Sequence, residues 1–181
     1  MTSWERIARR TRVPLGFAFA ILYFVLARPT VGALAAGAVV VLAGLSVRAT
    51  ASGHVRKNEE LTTTGPYSYT RNPLYLGSTL MALGFAIAGR NWWIGAALVL
   101  FFLAIYLPVI RSEETFLRGR FAEFAEYEKN VPRLVPRVTA WRKADGAFSW
   151  ALYRLHREYN ALTGAAVLML ALLVKMWLRQ R

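Results

Sequence analysis

The chain has no cysteine, only two histidines, and ten acidic residues against twenty-three basic ones. The missing cysteines exclude disulfides, thiolate metal sites and a cysteine nucleophile, and leave the redox compartment open. His54 and His156 are far apart and read as structural or interfacial, and no metal site is expected. Nowhere does the chain contain Gly-x-Gly, so the glycine-rich turn of a soluble dinucleotide-binding fold is absent. There is no internal repeat and no low-complexity tract. What dominates instead is apolar: 56% of 181 residues are hydrophobic, 13% are aromatic, and the net charge is +13. Several near-continuous apolar runs in so short a chain indicate an integral membrane protein rather than a soluble domain.

Five such runs predict an all-α, polytopic membrane protein with about five membrane helices. The first, Val13 to Ala27, is short and has Pro14 suited to its first turn. No small-residue cleavage site follows it, so the basic stretch Trp4 to Arg12 is not read as a cleaved signal. Arg28-Pro29-Thr30 returns the chain antiparallel. The second run, Val31 to Val47, pairs Gly32 with Ala36 and Ala33 with Gly37 at the spacing that permits close helix contact in lipid. The third runs from Pro73 to Gly89. The fourth starts at Trp92 and Trp93, an interfacial aromatic pair, and continues to Ile110, and the fifth covers Leu162 to Leu178.

The basic residues orient these runs. Four precede the first span, four lie between Arg48 and Asn72, and ten lie between Arg111 and Arg157, whereas only Arg28 and Arg90 fall in the opposite turns. The N-terminus and both polar segments are therefore expected on the cytoplasmic side. The basic C-terminal end conflicts mildly with this if the fifth run crosses. The charge suits membrane lipids with anionic headgroups, and because it follows span ends rather than one groove, no nucleic acid is expected as partner.

Two polar clusters stand out. In the first, TGPYSYTRNPLYLG, Gly65-Pro66 makes a turn and Asn72-Pro73 reads as a helix start, with Asn72 as N-cap. A helix N-terminus beside Arg71 suits an anion, and a basic aromatic anchor at the headgroups is the alternative. The second cluster is Arg111-Ser112-Glu113-Glu114. The hairpin of third and fourth spans brings both clusters to one face. Glu114 interrupts the stripe Leu107, Ile110, Leu117, Phe121, Phe124, so it points inward if the helix continues, unless it only pairs with Arg118 one turn on.

These residues resemble the isoprenylcysteine carboxyl methyltransferase family and its relatives, the phospholipid N-methyltransferases. The resemblance rests on Gly65 and Tyr67, then Arg71-Asn72-Pro73-Leu74-Tyr75-Leu76-Gly77, Glu113-Glu114 with Leu117 and Phe121, and Tyr127, Val131, Pro132 and Pro136. Asn72 stands where many members have histidine, and Ala122 and Phe124 where glycine and tyrosine are frequent. It implies a catalytic core over 61–136, flanked by an N-terminal hairpin and loop (1–60) and a C-terminal segment with the last helix (137–181). It also implies methyl transfer from S-adenosylmethionine, yielding S-adenosylhomocysteine, to a lipid-like or prenylated acceptor at a cytoplasmic-face active site. On that reading Tyr67, Arg71, Asn72, Pro73, Tyr75, Gly77, Glu113 and Glu114 are the cofactor-binding candidates. Glu114 and Arg133 are the catalytic candidates, although a plain headgroup contact also explains Arg133. A nicotinamide-dependent membrane reductase and a non-catalytic membrane protein are the alternatives.

Overall fold

The computed structural model describes residues 3–56, 59–142 and 146–180, with only the backbone and the Ile7 side chain given for residues 3–13. The basic side chains of Arg6, Arg9, Arg10, Arg12, Lys57, Lys143 and Arg181 that entered the charge argument lie outside this description. The described residues are helical or irregular, without strands. In order they form α1 (Ser3–Leu26), α2 (Val31–Ser52), a 3₁₀ turn (Gly65–Ser68), α3 (Pro73–Gly89), α4 (Trp92–Phe101), a π-helical turn (Phe102–Tyr106), α5 (Leu107–Arg120), α6 (Phe124–Asn130), α7 (Trp150–Leu155) and α8 (Tyr159–Gln180).

Among the described residues, three helices are long and apolar enough to cross a membrane: Val31–Ser52, the continuous Trp92–Arg120 and Tyr159–Gln180. Pro14–Leu26 and Pro73–Gly89 are shorter apolar helices, so length and composition support three of the five expected crossings. The first helix also differs from expectation at its start, since Pro14 lies inside α1 rather than in its first turn. A proline N–H lost within an apolar helix is tolerated where neighbouring groups satisfy the freed carbonyl. The fourth run does not stop at Ile110, because α4 and α5 continue as one helix through the π turn.

The closest packing joins α2 to α3. Their buried positions recur at helical spacing, Leu34, Gly37, Val41 and Gly44 against Gly77, Gly84 and Ala88. A Cβ on Gly37 would stand 2.5 Å from the Gly84 carbonyl oxygen, and one on Gly84 would stand 2.7 Å from that of Gly37. Gly44 and Gly77 meet the same way, 2.6 and 2.7 Å from each other's carbonyls. Backbones this close gain dispersion contacts that lipid tails cannot supply. Of the two small pairs read in the sequence, Gly37 lies in this seam, whereas Gly32 and Ala36 are exposed. From Val31 to Leu45 and from Leu80 to Ala88 the two helices are apolar all round, so polarity does not mark the packed face there.

α1 packs on α3 and on the π turn and α5, while α8 lies along α2. Tyr23 of α1 and Ala27 just after it share a core with Leu34, Ala88, Ile94 and Leu172. At one end of the bundle, the polar segments knit together. The segment 132–142 runs along the 67–71 loop, with Arg71 N donating to the Pro132 carbonyl (2.9 Å), Arg137 N to that of Tyr69 (2.9 Å) and Trp141 N to that of Ser68 (3.0 Å). Tyr127 donates its hydroxyl to the Tyr67 carbonyl at 2.7 Å. Gly65, at φ 57°, takes a left-handed conformation over the His54 ring, which a Cβ would approach to 2.5 Å.

The glycine seam yields a stability test. Gly84→Ala must push the Gly37 and Val41 backbones away and is expected to cost about 1–3 kcal/mol. Gly32→Ala meets nothing within 4 Å and should be neutral or stabilising by about 0.5–1 kcal/mol. Thermal unfolding of the detergent-purified variants checks both, and equal behaviour of the two would dissolve the seam.

Candidate functional site

At the polar end Glu114 is 3% exposed and sits in the middle of α5. Its Oε1 accepts a hydrogen bond from Asn72 Nδ2 at 3.1 Å and lies 3.2 Å from Arg71 Nε. Its Oε2 is held by Arg133, at 2.9 Å from Nε and 2.8 Å from the terminal nitrogen. Arg71 reaches on to Glu128 (3.1 Å), whose other oxygen takes Arg118 at 2.6 Å. Arg118 therefore pairs with Glu128 and not with Glu114. Asn72 precedes α3 as expected, with Pro73 at the first turn, yet its amide makes no cap and instead bridges Glu114 and the Arg133 carbonyl (3.0 Å). Three guanidiniums face two carboxylates in this cluster, leaving one unit of positive charge.

The neighbouring glutamate has a different environment. Glu113 lies about 100° further round the helix, accepts a hydrogen bond from the Tyr75 hydroxyl at 2.9 Å, and lines a cavity of about 1660 Å3. The same cavity is lined by Tyr67, Arg71, Asn72, Pro73, Tyr75, Ser112 and Tyr127. A pocket for one drug-sized ligand usually spans about 300–1,000 Å3, so this space suits more than one. Its far end is apolar, walled by Phe17, Ala20 and Ile21 of α1 and by Val167, Leu168 and Ala171 of α8.

Two buried polar atoms on this wall lack a hydrogen bond among the described residues, Arg71 Nε and Ser112 Oγ. The Arg71 Nε–H is near Glu114 Oε1 but misaligned with it, so proximity here is charge pairing without a hydrogen bond. Leaving such groups unsatisfied costs about 1–3 kcal/mol each. Both atoms are shielded, each with less than 1 Å2 of accessible surface.

Of the sequence-derived candidates, Tyr67, Arg71, Asn72, Pro73, Tyr75 and Glu113 come together on the cavity wall, whereas Gly77, Glu114 and Arg133 do not line it. Gly77 is committed to the α2 seam, where a Cβ would meet Arg48 Cγ at 2.5 Å. Arg133 is held against Glu114, with 38% of its side chain exposed away from the cavity. Sequence reasoning missed Arg48 and Glu158. These form a bidentate pair, Nε to Oε1 at 2.5 Å and the terminal nitrogen to Oε2 at 3.0 Å, and both line the cavity. Arg48 also donates to Ser78 Oγ at 2.5 Å, tying α2 to α3 and α8. His156, set beside Glu158 on the same wall, has Nδ1 3.0 Å from the Ser52 carbonyl. The only hint in the sequence was an acidic residue just before an apolar run.

Electrostatics follow the pairing. The hydrogen bond from Arg118 holds the Glu128 carboxyl below its ordinary value, with Arg71 adding to it. The hydrogen bond to Glu114 raises the Arg133 guanidinium. Burial raises the Tyr67 and Tyr127 phenols, which stay neutral.

This is an integral helical membrane protein with a charged end and an apolar end joined in one open cavity. The chain belongs to the phospholipid methyltransferase family, which it matches over residues 31–123. It is 40% identical over 98 residues to the cobalt-zinc-cadmium resistance protein CzcN of Cupriavidus metallidurans, covering 54% of this chain and 44% of that protein. It is 39% identical over 87 residues to the nickel-cobalt-cadmium resistance protein NccN of Alcaligenes xylosoxydans xylosoxydans, covering 48% and 41%. The matched stretch thus spans less than half the length of either relative. No solved structure matches the chain.

Two outcomes test the cluster. Glu114→Gln leaves Arg71 and Arg133 short of a buried counter-charge, and should destabilise the protein by about 3–5 kcal/mol, read as a large fall in melting temperature. Glu113→Gln should leave that temperature nearly unchanged. Because the Glu128 carboxyl is lowered on folding, its stabilisation is present above its ordinary value of 4.5 and is lost as pH falls through the lowered one. The stability difference between the parent and Arg118→Ala should therefore shrink below pH 4.5, and a pH-independent difference would contradict the assignment.

Proposed function

We propose that the protein transfers a methyl group from S-adenosylmethionine to a lipid-like acceptor within the membrane, at the cytoplasmic end of the bundle. The observation that carries this reading is a single cavity that presents opposite charges at one end and a lipid-like wall at the other. Family membership supports methyl transfer, and the cavity's residues fit the cofactor. An amino-acid group bears one charge of each sign. Arg71 lines the cavity within a cluster of net positive charge, beside the N-terminus of α3. Glu113 lines the same cavity and, among the described residues, has the Tyr75 hydroxyl as its hydrogen-bond partner.

On this reading Arg71 and the start of α3 hold the cofactor carboxylate, and Glu113 holds its cationic groups. Tyr75 orients Glu113, while Tyr67 and Tyr127 bound the pocket as neutral aromatic walls. Glu114 and Arg133 are positioning groups: Glu114 sets the Arg71 side chain, and Arg133 keeps Glu114 ionised. When bound, S-adenosylmethionine supplies a methyl group already activated by its sulfonium. The protein's task is then alignment and water exclusion, and orientation alone can supply much of the barrier reduction. Arg48 and Glu158 neutralise each other and close the wall without adding net charge.

The two relatives are named for metal resistance. The lipid reading of the present chain rests instead on the apolar wall of its cavity and on its family.

The test is titration calorimetry on detergent-purified protein with S-adenosylhomocysteine and, separately, NADPH. S-adenosylhomocysteine should bind, and Glu113→Gln should weaken it by about 1.5–3 kcal/mol, the worth of a hydrogen bond to a charged group. Binding of NADPH alone would favour the reductase, and unchanged affinity in Glu113→Gln would remove Glu113 from the site.

A further inference from the structure

The end of the bundle remote from Glu114 carries a groove of about 600 Å3 between α8 and the end of α1. Its α1 side is Phe24. Along it, at helical spacing, α8 presents Val167, Leu170, Ala171 and Val174, and then Lys175 and Arg179 one turn apart. The face is therefore apolar for most of its length, about 18 Å in all, and cationic at its mouth. Lys175 is fixed there, because its amine donates to the Phe24 carbonyl and to the Val25 carbonyl at 2.9 Å. These are two of the acceptors that α1 leaves open at its end. An ammonium has three donors, so one remains. Arg179 is exposed and, among the described residues, pairs with no carboxylate. The acidic residues stand at 5, 59, 60, 113, 114, 123, 126, 128, 145 and 158, so α8 and the turns at 27–30 and 89–91 contain none.

We propose that this groove binds one anionic phospholipid, with an acyl chain along residues 167–174 and the phosphate against Lys175 and Arg179. Charge complementarity carries the assignment. Two cations at i and i+4 repel each other unless an anion lies between them, and no acidic side chain of α8 or of the neighbouring turns supplies one. A phosphate takes charge-assisted hydrogen bonds from both an ammonium and a guanidinium. A free anion would leave the apolar face unmatched, and a zwitterionic lipid would bring its own cation to the same mouth. The site also gives work to basic residues that run against the charge bias of the rest of the chain. Phe24, Val167 and Ala171 line both this groove and the large cavity. A chain seated on them joins α8 to α1 and closes the apolar end of the cavity. This holds whether or not the protein transfers methyl groups.

The experiment follows the melting temperature of the protein in a neutral detergent as dioleoylphosphatidylglycerol, dioleoylphosphatidylcholine or inorganic phosphate is added. The parent should gain about 5–10 °C once phosphatidylglycerol exceeds its dissociation constant about a hundredfold. Phosphatidylcholine should give a much smaller rise, and phosphate alone none. Arg179→Gln should melt like the parent without lipid and need about tenfold more phosphatidylglycerol for the same rise, the effect of one lost charge-assisted hydrogen bond. Lys175→Gln should melt lower without lipid, because it uncaps α1, and should also lose the preference for phosphatidylglycerol. Arg90→Gln removes a cation at the same end that does not line the groove, and should respond as the parent does. Equal rises with the two lipids overturn the proposal in favour of an ordinary lipid belt. Equal responses of Arg179→Gln and Arg90→Gln overturn it too, since the headgroup then meets no particular cation. A rise with phosphate alone means that an anion binds without the chain, and the groove is not its site.

Discussion

The polar end of this protein depends on one buried carboxylate. Glu114 would be costly in isolation, since removing a charge from water is not repaid without close partners. Here Asn72, Arg71 and Arg133 surround it, the first two from one part of the chain and the third from another. Arg71 and Asn72 end the loop that enters α3, while Arg133 belongs to the segment that crosses that loop. Glu114 itself is carried by α5. Satisfying one charge therefore fixes the entry of α3, the rotation of α5 and the path of residues 131–134 together. The ladder between the 67–71 and 132–142 segments, with the Tyr127 hydroxyl on the Tyr67 carbonyl, extends the same junction.

Adjacent glutamates on one helix thereby acquire different work. A step of one residue turns about 100°, which moves Glu113 from the packed face to the cavity face. Glu114 is spent inside the protein, so a ligand finds no free oxygen on it. Glu113 keeps one hydrogen bond, from Tyr75, and an open side. The charge cluster built around Glu114 nonetheless reaches the cavity through Arg71, whose Nε–H is left unbonded. Structural and ligand-facing chemistry are thus one residue apart on α5 and share Arg71.

The family match ends at residue 123, yet the cavity does not. Val167 and Leu168 of α8, with His156 and Glu158 just before it, complete its wall, and Arg48 on α2 secures the entry to that helix. Arg157, between His156 and Glu158, adopts a left-handed φ of 52°. For a residue with a side chain this costs of order 1–3 kcal/mol and persists only where the surroundings over-determine it. The bidentate Arg48–Glu158 pair and the contact of His156 with the Ser52 carbonyl are what hold it. Much of the apolar wall of the cavity is then supplied by segments outside the stretch that matches the family.

The order of helices, their apolar character, the turn at Gly65-Pro66 and the start of α3 at Pro73 were legible in the sequence, because each rests on local chemistry: run length, a backbone-permissive glycine, a ring that fixes φ. The inward direction of Glu114 was legible too, since it interrupts a stripe of helical period. The partner of Glu114 was not, because Arg118 one turn away and Arg133 beyond the next helix are equivalent on paper, and only the fold brings the second within 2.8 Å. Nor was the seam between α2 and α3, where apolar helices carry no polarity to mark the packed face and Gly32 and Gly37 look alike. Arg48–Glu158 joins residues 110 positions apart, and no local pattern announces a pair formed across that distance. Local chemistry set the elements and one inward carboxylate. Which charges neutralise one another, and therefore which are left facing a ligand, was decided by tertiary contacts, because an ion pair depends on distance in space and not on separation along the chain.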